Sequence, residues 1–223
     1  MILAAGRGER MRPLTDRTPK PLLSVGGQPL IAWHVQALAA AGFNRVVVNH
    51  AYLGAQIEAY LGDGKKWGLE VVCSAEACAL ETAGGIAHAL PLLGNEPFLV
   101  VNGDIWTDYD YRRMRNLDLA DKLAHLVLVD NPAQHPGGDF ALRGNLVLDD
   151  AEPRLTFSGI GCYRPDLFAG VADNEPAPLA PLLRNAMRQG GVSGERHGGL
   201  WFDIGTPDRL AELDNRLRSK YGC

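Results

Sequence analysis

Apolar and polar positions change period several times along the chain, and each change marks a predicted element. The first run, Met1-Ile2-Leu3-Ala4-Ala5, reads as the end of a strand entering a loop of small residues. Leu30, Ile31, His34, Val35, Leu38 and Ala41 then recur at helical spacing. They predict the buried stripe of a helix near Pro29–Ala41, with Pro29 in its first turn and Gly42 at its end. Arg45–Asn49 is a short β-branched run and predicts a strand. A helix near Leu53–Leu61, a strand at Leu69–Cys73 and a helix over Thr82–Leu92 follow. Phe98–Val101 is a fully apolar strand that runs into Asn102-Gly103-Asp104.

The second half is less regular. Leu123–Val129 predicts a strand, Phe140–Leu142 and Leu146–Leu148 a hairpin around Gly144-Asn145, and Leu155–Tyr163 another strand. Leu179–Met187 reads as a helix, Ser193–Arg196 as a polar segment, and a closing helix runs to about Leu217 after Leu200-Trp201-Phe202. Alternating strands and helices with continuous apolar strands predict an α/β domain with a mostly parallel, mixed sheet and helices on both faces. Ligands bind such sheets at the carboxyl ends of the strands. The opening loop and Asn102-Gly103-Asp104 therefore face one crevice.

Composition agrees. The 223 residues are 46% hydrophobic and 22% charged, enough for one domain with a full core, and no linker or repeat divides them. A net charge of −4 with no basic stripe argues against a nucleic-acid partner, and no apolar run reaches a membrane span. Cys73, Cys78, Cys162 and Cys223 have neither zinc nor redox spacing, and Cys73 and Cys162 sit in apolar runs. A reduced, cytoplasmic compartment is expected, with no signal peptide visible.

The candidate chemistry starts in the opening loop, Leu3-Ala4-Ala5-Gly6-Arg7-Gly8-Glu9-Arg10-Met11-Arg12-Pro13-Leu14-Thr15, continued by Thr18-Pro19-Lys20-Pro21. Small residues let backbone N–H groups approach a phosphate chain, and Arg10 and Lys20 add fixed positive charge. No Gly-Lys-Ser/Thr ends the loop, which excludes a Walker A site, and Met11-Arg12-Pro13 stands where a dinucleotide fingerprint needs its third Gly. Asp104 and Asp203, the latter in Trp201-Phe202-Asp203-Ile204-Gly205-Thr206, each read alone as a ligand or as a turn-capping residue. Asp108 and Asp110 read as turn and cap residues, and His50, His88 and Trp67 as packing residues.

The opening run resembles, at every fixed position, the signature of the sugar-1-phosphate nucleotidylyltransferases. Asn102-Gly103-Asp104 and Asp203-Ile204-Gly205-Thr206 resemble that family's two metal-bearing segments. The resemblance implies a single Rossmann-like, glycosyltransferase-A-like domain over residues 1–223. Residues 1–110 form its nucleotide-binding half and residues 111–223 its sugar-phosphate half. It implies attack of a sugar 1-phosphate on the α-phosphorus of a nucleoside triphosphate, with Mg²⁺ on Asp104 and Asp203. Arg10 holds the departing phosphates and Lys20 the charge at the α-phosphorus, while Arg7, Arg12 and Arg17 are solvated or helpers. Relatives also carry a few residues before this start, so a trimmed N-terminus is expected. Larger relatives often assemble and short ones also stand as monomers, so the oligomeric state stays open.

The resemblance places the base against Leu3, Ala4, Ala5, Gly6 and the segment Glu76–Gly85, with Gly84 touching the nucleotide and Glu81 standing where relatives carry Gly. Glu76 occupies the place of a base-reading Gln. A carboxylate there accepts uracil N3–H or two guanine donors, so the base stays open, and a solvated loop charge is the alternative. For the sugar phosphate the resemblance points to Asn102, Gly138, Asp139 and Ser158; Trp201, directly before Asp203, reads either as a wall of the sugar pocket or as core packing. The family's second lysine is missing, and Asp149–Arg154 stands in its place. Val48–Ala51, Asn102–Asp110, Val129–Pro132, Gly138–Phe140 and Thr156–Ile160 resemble the short bacterial branch that uridylylates N-acetylmuramate 1-phosphate in cell-wall recycling. UTP is then the expected triphosphate, and the lactyl carboxylate needs a cation, for which Arg143, Arg154 and His135 are candidates. A hexose-1-phosphate guanylyl- or thymidylyltransferase is the alternative within the class. A non-catalytic nucleotide-sugar sensor is the alternative outside it.

Overall fold

The structure is a computed structural model, and it describes residues 1–221; Cys223 lies outside the described residues. In chain order the strands are β1 (Ile2–Leu3), β2 (Ser24–Val25), β3 (Gln28–Pro29), β4 (Arg45–His50), β5 (Glu70–Ala75), β6 (Phe98–Asn102) and β7 (Ile105–Thr107). They continue as β8 (Ala124–Val129), β9 (Phe140–Arg143), β10 (Leu146–Leu148), β11 (Arg154–Tyr163), β12 (Val192–Arg196) and β13 (Trp201–Asp203). The helices are α1 (Leu30–Ala40), α2 (Gly54–Leu61), α3 (Glu81–Leu93), α4 (Arg112–Arg115), α5 (Leu179–Arg188) and α6 (Pro207–Tyr221).

Nine strands form one sheet in the order β5-β4-β1-β6-β11-β8-β12-β10-β9. The first four come from residues before 110 and run parallel. The other five come from the second half and mix directions. β11 runs antiparallel to both β6 and β8, whereas β12 is parallel to β8. Side chains of successive strand residues point to opposite faces, so each buried strand feeds two cores. Val46 and Val48 of β4, with Leu99 and Val101 of β6, meet α1 and α2 on one face. Val47, Phe98 and Val100 meet α3 and α5 on the other. The predicted α1 stripe is buried throughout.

Among the elements that the sequence expectation lacks, two bear on the site. The polar segment Ser193–Arg196 is the greater part of β12, inside the sheet between β8 and β10. It carries little apolar signal because its place is set by backbone pairing and tight packing: a Cβ on Gly194 would stand 2.7 Å from the Leu126 carbonyl. Ile105–Thr107 is a strand too short for a period, and it pairs with β13 in a two-stranded ribbon of its own. That ribbon is steadied from α1. His34 Nε2 donates to the Ile105 carbonyl (2.8 Å), so its Nδ1 accepts from Tyr111 Oη (3.2 Å). Burial pushes the His34 imidazole down to about 4, which keeps it neutral.

Candidate active site

The parallel strands deliver the site. β1 is the middle strand of its half, flanked by β4 and β6, and its carboxyl end becomes the loop Ala4–Gly8. Asn49, at the adjoining end of β4, accepts Ala4 N–H at 2.8 Å and fixes where the loop leaves the sheet. A Cβ on Gly6 would meet nothing within 4 Å, so the loop backbone there is open on the cleft side. Gly8 has φ +69 and is packed on Thr15 and Lys20, a position that only glycine fills without strain. Short 3₁₀ turns at Glu9–Met11 and Lys20–Leu22 then carry Arg10 and Lys20 back over the strand ends.

Leu3, Ala4, Ala5, Gly6, Gly8, Arg10, Lys20, Asn102 and Asp104 line one cavity of about 720 Å³, within the usual range of small-molecule sites. Lys20 is buried, and its Nζ lies 2.6 Å from Asp104 Oδ2. Gly103 lets the ends of β1 and β6 close together: its N–H donates to the Leu3 carbonyl at 2.8 Å. The second acid arrives from β13. Asp203 is paired with Ile105 across the ribbon, and Ile204 N–H donates to the Asp104 carbonyl at 2.9 Å. Asp203 is ion-paired with Arg209 of α6. Arg10 reaches the same spot, since a Cβ on Gly205 would lie 3.1 Å from its guanidinium. Two carboxylates and three cations thus gather at the mouth of the opening loop. Asp104 and Asp203 are the residues there that could hold a metal ion.

A smaller cavity of about 260 Å³ adjoins the first and shares Asn102, Asp104 and Asp139 with it. Ser158, Trp201 and Asp203 line it. Here β11 bulges between Phe157 and Ile160. Gly159, at φ +80, sits against the Asn102 amide so closely that a Cβ would stand 2.6 Å from its nitrogen. The Ser158 hydroxyl is turned inward and accepts Ile160 N–H, and its carbonyl accepts Trp201 Nε1–H at 2.9 Å. Trp201 is therefore fixed as a wall. Asp139 faces both cavities; its carboxylate accepts Phe157 N–H at 2.8 Å and lies 3.0 Å from His135 Nε2.

Three expected residues stand elsewhere. Glu76 neither lines the cleft nor is solvated. It is buried, with Oε1 accepting from Asn49 Nδ2 (2.6 Å) and Oε2 from Leu80 N–H (2.9 Å). Both oxygens are engaged in holding the loop and the start of α3. Gly84 lies inside α3, its N–H on the Ala177 carbonyl at 3.1 Å, and it serves the approach of residues 175–177. Gly138 packs between Asn131 and Arg154, at φ +61, behind Asp139. In place of Glu76 and Gly84, the cleft wall on that side consists of Asn49, Ala79, Glu81 and Thr82. Glu81 holds φ +57, a conformation that favours glycine, the residue that the resemblance places at that position. His50 and His88 lie away from the cleft, paired with Glu58 and Asp173. No helix among the described residues is long and apolar enough to cross a membrane.

Comparison with known proteins decides the family. The nucleotidyl transferase family model matches residues 1–140, which include the whole opening run and Asp104. The chain is a nucleotidyl transferase. This transferase is 55% identical, over 95% of both chains, to the N-acetylmuramate alpha-1-phosphate uridylyltransferase of Neisseria meningitidis serogroup B. It is 35% identical, over 97% of this chain, to the protein of the same name from Caulobacter vibrioides, of which 96% is covered. The resemblance read from the sequence is borne out. A UDP-glucose pyrophosphorylase structure with UDP-glucose superposes on the transferase at TM-score 0.78, with 19% identity over 98% of this chain and 97% of that one. A Bacillus anthracis structure in complex with sucrose does so at 0.86, with 21% identity over 97% and 94%. Both share the Rossmann-like fold.

Proposed function

We propose that this transferase moves a uridylyl group from UTP to N-acetylmuramate 1-phosphate, yielding UDP-N-acetylmuramate and pyrophosphate, as a step in cell-wall sugar recycling. The observation that carries the reading is 55% identity over 95% of both chains to a relative of that name. The geometry is compatible with it. The nucleophile is a phosphate monoester, already anionic at neutral pH, so the reaction needs no general base. It needs relief of anion–anion repulsion and in-line placement.

The residues divide that work. Backbone N–H groups of Ala4–Gly8 cradle the triphosphate. Arg10 holds the departing β- and γ-phosphates, and Lys20 neutralises charge growing at the α-phosphoryl oxygens. Asp104 and Asp203 would hold Mg²⁺, for which a pair of carboxylates is a fitting donor set. When bound, that ion supplies Lewis-acid neutralisation of the phosphate oxygens. Asn102, Asp139 and Trp201 then orient the sugar phosphate in the smaller cavity.

A grid of UTP, GTP and dTTP against N-acetylmuramate, mannose and glucose 1-phosphates, scored by pyrophosphate release, tests the reading. The expected result is highest kcat/KM for UTP with N-acetylmuramate 1-phosphate, lost on adding EDTA and restored by Mg²⁺. Equal or better turnover of GTP with mannose 1-phosphate would replace it with the guanylyl alternative.

A further inference from the structure

We infer that Arg184 binds the lactyl carboxylate of the sugar substrate, an inference that rests on the substrate proposed above. Three cations line the larger cavity: Arg10, Lys20 and Arg184. Arg10 and Lys20 sit at the opening loop, where the triphosphate is bound. Arg184 stands apart from them, on α5, on the same helix face as Ala180 one turn earlier. Asp139, Phe140 and Phe157, which belong to the sugar side, share this cavity with it.

The way Arg184 is held suits a planar anion. Its Nε donates to Asp149 Oδ1 at 3.1 Å, and among the described residues no hydrogen bond engages its two terminal nitrogens. Asp149 thus fixes the guanidinium by one edge and leaves donors for a carboxylate. An arginine offers these as a fork, which a lysine cannot reproduce. The cations that the sequence suggested are occupied. Arg154 donates to the carbonyls of Asp139 (3.2 Å) and Asp149 (2.7 Å) and pairs with Glu152 (3.2 Å), which ties the β10–β11 connection together. Arg143 donates to the Glu152 carbonyl, and His135 is engaged by Asp139. Arg184 is the cation left facing the cleft.

N-acetylglucosamine 1-phosphate is the matched probe, since it differs from N-acetylmuramate 1-phosphate only by lacking the lactyl ether. The readout is the ratio of kcat/KM for the two sugars, with UTP saturating, in the wild type, Arg184→Ala and Arg184→Lys. Thermal melting of each variant confirms that it is folded. The expected result is a fall of about 10–100-fold in that ratio for Arg184→Ala, carried by KM, and partial recovery in Arg184→Lys. A wild-type preference for N-acetylmuramate that survives both substitutions within twofold overturns the subsite and leaves the proposed reaction standing. Absence of any wild-type preference overturns the proposed substrate itself.

Discussion

The two walls of the cleft are built by different means. On the side proposed to take the nucleotide, parallel strands end together and present backbone. The loop Ala4–Gly8 hangs from β1, is pinned by Asn49 on β4, and Asn49 is pinned in turn by Glu76. On the side proposed to take the sugar phosphate, an antiparallel strand bulges, and side chains from three separate segments converge: Asn102 of β6, Asp139 ahead of β9, and Trp201 and Asp203 of β13. The first wall is a consequence of sheet topology, so one short motif specifies it. The second is assembled from distant pieces and can be altered residue by residue without disturbing the sheet. That difference suits a transferase whose triphosphate chemistry is common and whose sugar is particular.

Lys20 of the opening loop pairs with Asp104, which lines both cavities, and the largest effects are expected there. Asp104→Asn and Lys20→Met are each expected to lower kcat by about 10²–10³-fold with little change in melting temperature, measured by pyrophosphate release and calorimetry. Equal losses for both sugars and all triphosphates would fit a group serving the common step. A next, smaller effect separates the walls. Gly159→Ala pushes into the Asn102 amide and strains a backbone at φ +80. It should lower kcat/KM for the sugar phosphate by roughly 10–100-fold, while KM for UTP stays within threefold. A matching rise in KM for UTP would mean that the two walls are not independent.

How much of this the sequence shows follows from the same contrast. Arg10, Lys20 and Asp104 are legible because their spacing lies within single strand-to-loop units. Asp203 is legible only beside them, since its partner strand β7 has three residues and no period. The burial of Glu76 is not legible in the sequence because nothing local distinguishes a buried carboxylate from an exposed one. Its burial depends on Asn49, 27 residues earlier in the chain, and on close approach to Gly85. β12 was missed because Ser193-Gly194-Glu195-Arg196 is polar in sequence, yet Glu195 is satisfied by Tyr109 and Arg113 from α4 and its approach. Arg184 carries no signal at all in one dimension, being an arginine on an amphipathic helix; only the fold turns it toward the cleft.

Two further measurements concern stability. Asn49→Ala removes partners from Ala4 N–H and Glu76 Oε1, both buried, and should cost about 3 kcal/mol. In a chain of this length that is a drop in Tm of roughly 6–12 °C. A change below one degree would show that the loop is held by something else. The smallest effect is pH-dependent. His34 is buried neutral with its imidazole lowered to about 4, so the unfolded chain binds a proton that the native one refuses between pH 4 and 6.5. Stability from this group is complete above pH 6.5 and falls as the pH drops, by about 2 kcal/mol between pH 7.5 and 5. Urea midpoints at the two pH values report it, and His34→Gln should flatten that part of the slope.

Phosphorus NMR of the wild type with Mg²⁺, UTP and N-acetylmuramate 1-phosphate tests the central claim most directly. The account predicts that the triphosphate and monoester signals decline together while a diphosphate diester and free pyrophosphate appear in equal amounts. Shifted UTP signals that show binding, with no diester formed, would contradict it and identify the cleft as a sensor rather than a catalyst.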